Sequence, residues 1–172
     1  RAKFLFKHAL VQDTAYESLL RRHRQDWHGQ IAATLLEKFE ETAAAEPELI
    51  ARHFDEAGQA EQATDWWTKG GLLAQEKSAH EAAIDHFQRA LDLTEEIEDE
   101  EARLVAEFRI QTPRGVSILS TQGYAAPQVG SIFERARELS DRFGGPAERF
   151  FTLWGIWAFN IVKDQLDVCL EL

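Results

Sequence analysis

A single cysteine, Cys169, stands in 172 residues. One thiol excludes a disulfide framework and any zinc site built on cysteine pairs within the chain, and it points to a reducing, cytoplasmic setting. Prolines number only four, while Ala, Leu, Glu and Gln are abundant, a balance that favours helix. No apolar run reaches the roughly 20 residues that a bilayer demands. The most apolar stretch, AERFFTLWGIWAFNIV at 147–162, reads instead as a helix sandwiched between neighbours on both sides. No signal peptide opens the chain at Arg1, and the last residues, LDVCLEL, are apolar and periodic. Both ends therefore read as cuts from a longer protein.

Positive charge is also scarce, with 19 Lys and Arg against 30 Asp and Glu, a net charge of −11. It is unevenly spread. Residues 1–28 hold six basic residues against three acidic ones, a net of +3, so the remaining 144 residues carry −14. An acidic body of this kind excludes nucleic acid as a partner along most of the chain. The short RRHR run at 21–24 reads as a solvated helix face.

Chemistry-bearing motifs are missing as well. The sequence contains no phosphate-cradling G-x-x-x-x-G-K-[ST] or G-x-G-x-x-G loop and no G-x-S-x-G nucleophile elbow. The six histidines are His8, His23, His28, His53, His80 and His86. His80 and His86 are six apart, where a helical zinc pair needs four, and His23 and His28, five apart, point to different faces. No catalytic residue, metal site or cofactor is expected. His53, Asp55 and Glu56 read as a polar surface cluster at a helix end.

What is present is helical periodicity. ALVQDTAYESLL carries apolar residues at helical spacing, after an opening KFLFKH that reads as a strand or extended entry. RQDWHGQIAATLLEKFEE places Trp27, Ile31, Leu35 and Phe39 four apart along one face, and TAAAEP should end that helix. PELIARHFDEAG begins with proline and is followed by glycine, a helix with both ends marked. The acidic run EEIEDEE at 95–101 reads as a solvated turn, with Glu100 and Glu101 at the N-terminus of the next helix. Pro113 and Gly115 should kink or interrupt that helix. PQVGSIFERARELSDRF then turns Val129, Phe133, Ala136 and Leu139 inward. The fold class is all-α.

The window DWWTKGGLLAQEKSAHEAAIDHFQRALDL, 65–93, shows what joins these helices. Trp67 and Gly71 are followed by Ala83, Phe87 and Ala90 at 16, 20 and 23 residues after the tryptophan. That spacing resembles the tetratricopeptide repeat, two antiparallel helices in which small residues admit close approach and large ones fill the grooves. Gly70 and Ala74 depart from its usual leucine and aromatic, and Glu95 replaces a common proline. Val129, Phe133 and Ala136 repeat the four-then-three spacing, but 46 residues separate Phe87 from Phe133 where a regular array has 34. Antiparallel helix pairs stacked as an irregular TPR-like α-solenoid are the expectation.

Trp67, Gly71, Ala83, Phe87 and Ala90 are then packing residues. Trp66 precedes Trp67 and points about 100° away from it around a helix, so both cannot fill one groove. Trp66, Lys69 and His86 form the candidate patch facing a ligand or partner. The aromatics Phe150, Phe151, Trp154, Trp157 and Phe159 form a second surface. Further repeats would cover it; left open, it could drive self-association across Phe150–Phe159.

The segment FLFKHALVQDTAYESLLRRHRQDWHGQIA, together with ARHFDEAGQAEQATDWWTKGG and STQGYAAPQVGSIFERARELS, resembles the C-terminal region of large bacterial signalling proteins. In these an adenylate/guanylate cyclase domain precedes an AAA (STAND-type) ATPase and TPR-like repeats. The resemblance implies that residues 1–22 are the tail of an ATPase or winged-helix-like segment, with His8 at the junction, and that 23–172 are repeats. The partner would be a protein or peptide, or the protein's own ATPase and cyclase domains. The alternative is the repeat region of an ATPase-type transcription regulator whose DNA-binding domain lies elsewhere.

Overall fold

The computed structural model describes residues 14, 16 and 18–164. The opening KFLFKH segment, His8 and Cys169 lie outside the described residues. Within them the chain is all-α: α1 (Arg21–Lys38), α2 (Glu40–Ala45), α3 (Pro47–Glu56), α4 (Ala60–Glu76), α5 (His80–Thr94), α6 (Glu100–Gln122), α7 (Pro127–Phe143) and α8 (Pro146–Val162). From α3 onward each helix packs on the next, α1 packs on α3, and α4 and α6 also meet, as do α6 and α8. The result is a row of antiparallel pairs whose first members, α4, α6 and α8, adjoin one another.

The turns explain the tight pairing. Gly58 after α3 and Ser78 after α4 adopt φ of 71° and 59°, the left-handed conformation that closes a helix. In both turns the next amide reaches back five residues, Gln59 N–H to the Phe54 carbonyl at 2.9 Å and Ala79 N–H to Ala74 at 2.8 Å. The following helix starts at once and folds back on its predecessor. Before α6, the Asp99 carboxylate accepts the Ala102 amide at 2.6 Å and caps the helix. Glu100 and Glu101 occupy its first turn, as the acidic run implies.

The repeat spacing translates directly into packing. Ala83, Phe87 and Ala90 are completely buried and Trp67 nearly so. Gly71 is required by contact: a Cβ there would stand 2.5 Å from the Phe87 ring. In the next pair Val129, Phe133, Ala136 and Leu139 are buried, and Phe133 fills the space that Gly115 and Gly155 leave on the helices either side of it. Phe159 sits in turn on Gly130. Aromatic rings on glycine seats thus recur along the stack.

The stripe of Trp27, Ile31 and Phe39 is 51%, 42% and 52% exposed, and Ala32 is the buried residue of α1, which packs on α2 and α3. Three expectations are corrected. First, α1 stops at Lys38, and TAAA, expected as a terminator, lies in α2 because alanine carries the strongest helix propensity. Second, α6 runs unbroken through Pro113 and Gly115. Gly115 is there for the Phe133 ring, and the Gln75 amide of α4 bridges the Pro113 carbonyl and the Ser117 hydroxyl at 2.7 Å each. Third, α8 is not sandwiched among the described residues: Thr152, Gly155, Ile156 and Asn160 are buried, while Phe150, Phe151, Trp154 and Trp157 are exposed.

One ion pair pins α6 to α7. The Arg135 guanidinium donates two hydrogen bonds of 2.8 Å to the Glu107 carboxylate, and those bonds hold the Glu107 carboxyl below its ordinary value. A carboxyl lowered in the folded state stabilises the fold above its unfolded value and loses that contribution as pH falls through the folded one. Glu107→Gln is expected to cost about 1 kcal/mol at neutral pH, since the solvent around Arg135 screens the pair. The variant's midpoint in urea should also fall less than the wild type's between pH 5 and pH 3.

Candidate interaction groove

On α4, Asp65, Thr68, Lys69 and Leu72 fall at i, i+3, i+4 and i+7 and so share one stripe of the helix. The core stripe, Thr64, Trp67, Gly71 and Ala74, lies beside it and is buried. α6 adds Phe108, Arg109, Thr112 and Pro113, and α8 adds Glu148 and Phe151. Together these ten residues line a groove of about 430 Å³ crossing α4, α6 and α8, within the usual range for ligand clefts.

The floor is apolar: Leu72, Phe108, Pro113 and Phe151 supply it, with Leu72 43% and Phe151 57% exposed. Both carboxylates already have partners. Asp65 pairs with Arg109 at 3.7 Å, both ends well solvated, and Glu148 accepts the Gly145 amide at 3.0 Å as the cap of α8. The Lys69 ammonium stands 3.9 Å over the Trp66 ring, a cation–π contact. It forms no ion pair with a carboxylate among the described residues. Two carboxylates and two cations thus balance in the groove, and Lys69 is the cation there with no carboxylate partner among the described residues.

The structure divides the patch of Trp66, Lys69 and His86. Lys69 lines the groove and Trp66, half-buried, backs it from the next position. His86 is elsewhere: its ring lies on Trp67 with centroids 5.2 Å apart, against Gly70 and α3. Burial lowers the His86 pKa, with Arg52 acting in the same sense and Glu48 and Asp85 opposing. Phe151 belongs to the aromatic surface read from the sequence, whereas no spacing in the sequence singles out Phe108, Arg109 and Thr112. Their only signal is helical periodicity on exposed faces, and no pattern in one dimension says which exposed faces meet.

The polar cluster at 53–56 is also more structured than its composition implies. Asp55 holds Arg89 of α5 at 2.8 Å. His53 Nδ1 lies 2.8 Å from His28 Nδ1, and His28 Nε2 lies 2.8 Å from the Tyr16 hydroxyl. Among the described residues no group of three or more His, Cys, Asp or Glu could hold a metal ion, and no helix is long and apolar enough to cross a membrane.

No protein-family model matches the chain, and no solved structure matches it. It is 24% identical over 171 residues to "Uncharacterized protein R02095" of Rhizobium meliloti (strain 1021), an alignment covering 96% of this chain and 17% of that protein. The chain thus spans about a sixth of the length of the relative that it matches along nearly all of its own.

Proposed function

We propose that this chain is a non-catalytic, TPR-like interaction module, and that the groove across α4, α6 and α8 is where its partner binds. The observation that carries this reading is the groove itself: three successive first helices converge on an apolar floor with Lys69 and Arg109 at its edge. A peptide segment with bulky apolar side chains and a nearby carboxylate fits that chemistry. The apolar groups would cover Leu72, Phe108 and Phe151, and the carboxylate would meet Lys69. The resemblance to repeat regions of bacterial signalling ATPases supports placing the module in such a protein, where partner binding would bias the nucleotide-dependent state and a cyclase output. The much longer relative is in keeping with a larger parent.

Peptides selected from a random display library on the purified chain test the groove. Selected sequences should combine aromatic or aliphatic residues with an acid. Lys69→Glu and Phe151→Asp should each weaken their binding at least tenfold in calorimetry, with the thermal midpoint nearly unchanged because both side chains are exposed. Binding that ignores both substitutions would defeat the reading of the groove. The signalling role is tested separately: ATPase and cyclase activities of the full protein that are unchanged by deletion from residue 60 onward would defeat that part.

A further inference from the structure

Outside the groove, the most specific constellation is the line Tyr16, His28, His53. It joins three parts of the molecule, since Tyr16 precedes α1, His28 lies on α1 and His53 on α3. Its two contacts of 2.8 Å limit where protons can be. An Nδ1 to Nδ1 hydrogen bond holds one proton, so one imidazole donates and the other must be unprotonated at that atom. One neutral arrangement runs from the Tyr16 O–H to His28 Nε2 and from His28 Nδ1–H to His53 Nδ1, and the other reverses both bonds. In the former, a first added proton can go to His28 Nε2, with the tyrosine turning from donor to acceptor and both contacts surviving. A second proton has only His53 Nδ1 to occupy, and it destroys the bond between the rings.

We propose that Tyr16, His28 and His53 form a proton-counting latch that fastens Tyr16 to α1 and α3, closed with up to one added proton and open with two. The surroundings do not hold the second proton in place. Arg21 and Arg24 of α1, Asp55 and Glu56 of α3 and Glu96 from beyond α5 line a pocket together with Tyr16. Asp55 is already committed to Arg89, and Arg24 lies over the Tyr16 ring, its guanidinium 5.2 Å from the centroid. Glu56 favours the charged His53, but burial and His28 outweigh it, and the His53 pKa is lowered. The sign follows: a histidine lowered in the folded state stabilises the fold above its unfolded value of about 6.5. That contribution is lost as pH falls below it toward the folded value, because the unfolded chain binds the proton first. The latch opens downward in pH.

The test is a pH titration of the intact chain by NMR, following the ring Cε1–H signals of His28 and His53, in parallel with amide hydrogen exchange. Two separate steps are expected. Exchange at residues 18–24, corrected for its intrinsic pH dependence, should accelerate at least tenfold across the second step and not across the first. In His53→Gln the side-chain oxygen can still accept from His28 Nδ1 without titrating. That variant should show one step and no acceleration. Tyr16→Phe removes a single partly exposed oxygen and should loosen residues 18–24 already at pH 7.5, which keeps the proposal testable if His53→Gln does not fold. Both histidines titrating in one common step, or exchange at 18–24 indifferent to the second proton, would overturn it.

Discussion

Phe133→Ala is expected to destabilise the protein by about 3–5 kcal/mol, the largest loss from any single substitution considered for this fold. Phe133 is completely buried, and its ring is shared by three helices. It belongs to α7, it lies within 3 Å of where a Cβ on Gly115 of α6 would be, and it comes closer still to where a Cβ on Gly155 of α8 would be. Truncation removes the transfer free energy of a large aromatic and leaves a cavity bounded by two glycines, which have no side chains to swing into it. α6 and α7, each packed against neighbouring helices before and after it, cannot close the gap cheaply. The check is equilibrium urea unfolding at neutral pH. A loss under about 1 kcal/mol would mean that α6, α7 and α8 are not packed through this ring.

The second large effect separates a glycine required by contact from one merely tolerated. Gly71→Ala should destabilise by about 1–3 kcal/mol, although alanine gains about 1 kcal/mol of helix propensity over glycine. Its Cβ would stand 2.5 Å from Phe87, a ring with no exposed surface and no room to retreat. Gly29→Ala has the opposite sign. Its Cβ would meet the end of the Gln59 side chain at 3.3 Å and Ala57 at 3.8 Å, which a flexible side chain can accommodate, so propensity wins and stability rises by about 0.5–1 kcal/mol. Phe87→Leu combined with Gly71→Ala should recover part of the loss, because the clash lies between those two residues. Equal and opposite shifts from Gly71→Ala and Gly29→Ala are not expected; the sign difference is the measurement.

The contrast also marks what the sequence could reveal. The spacing of Trp67, Gly71, Ala83, Phe87 and Ala90 is local, spanning one helix pair, and small and large residues placed that way have few other ways to pack. The same holds for Val129, Phe133 and Ala136. Where burial depends on what lies alongside, the residues are ambiguous. Trp27, Ile31 and Phe39 have the periodicity of a core face, yet they are exposed, and Ala32 is the buried position of that helix. Pro113 reads as a break, but the single hydrogen bond it removes does not end a helix held by Gln75 and by α7. The groove and the Tyr16, His28, His53 line were hidden for one reason: each joins side chains from three segments, and which segments come together is decided by stacking, not by any one helix.

The account rests centrally on the groove being the surface that meets a partner. The most direct measurement is site-specific photo-crosslinking in cells expressing the full protein. The photoreactive residue replaces Leu72 on the groove floor in one variant and Glu134, an exposed position on α7, in the other. The account predicts discrete adducts from position 72, lost when Lys69→Glu is added, and none from position 134. Adducts in equal yield from both positions, or from 134 alone, would contradict it.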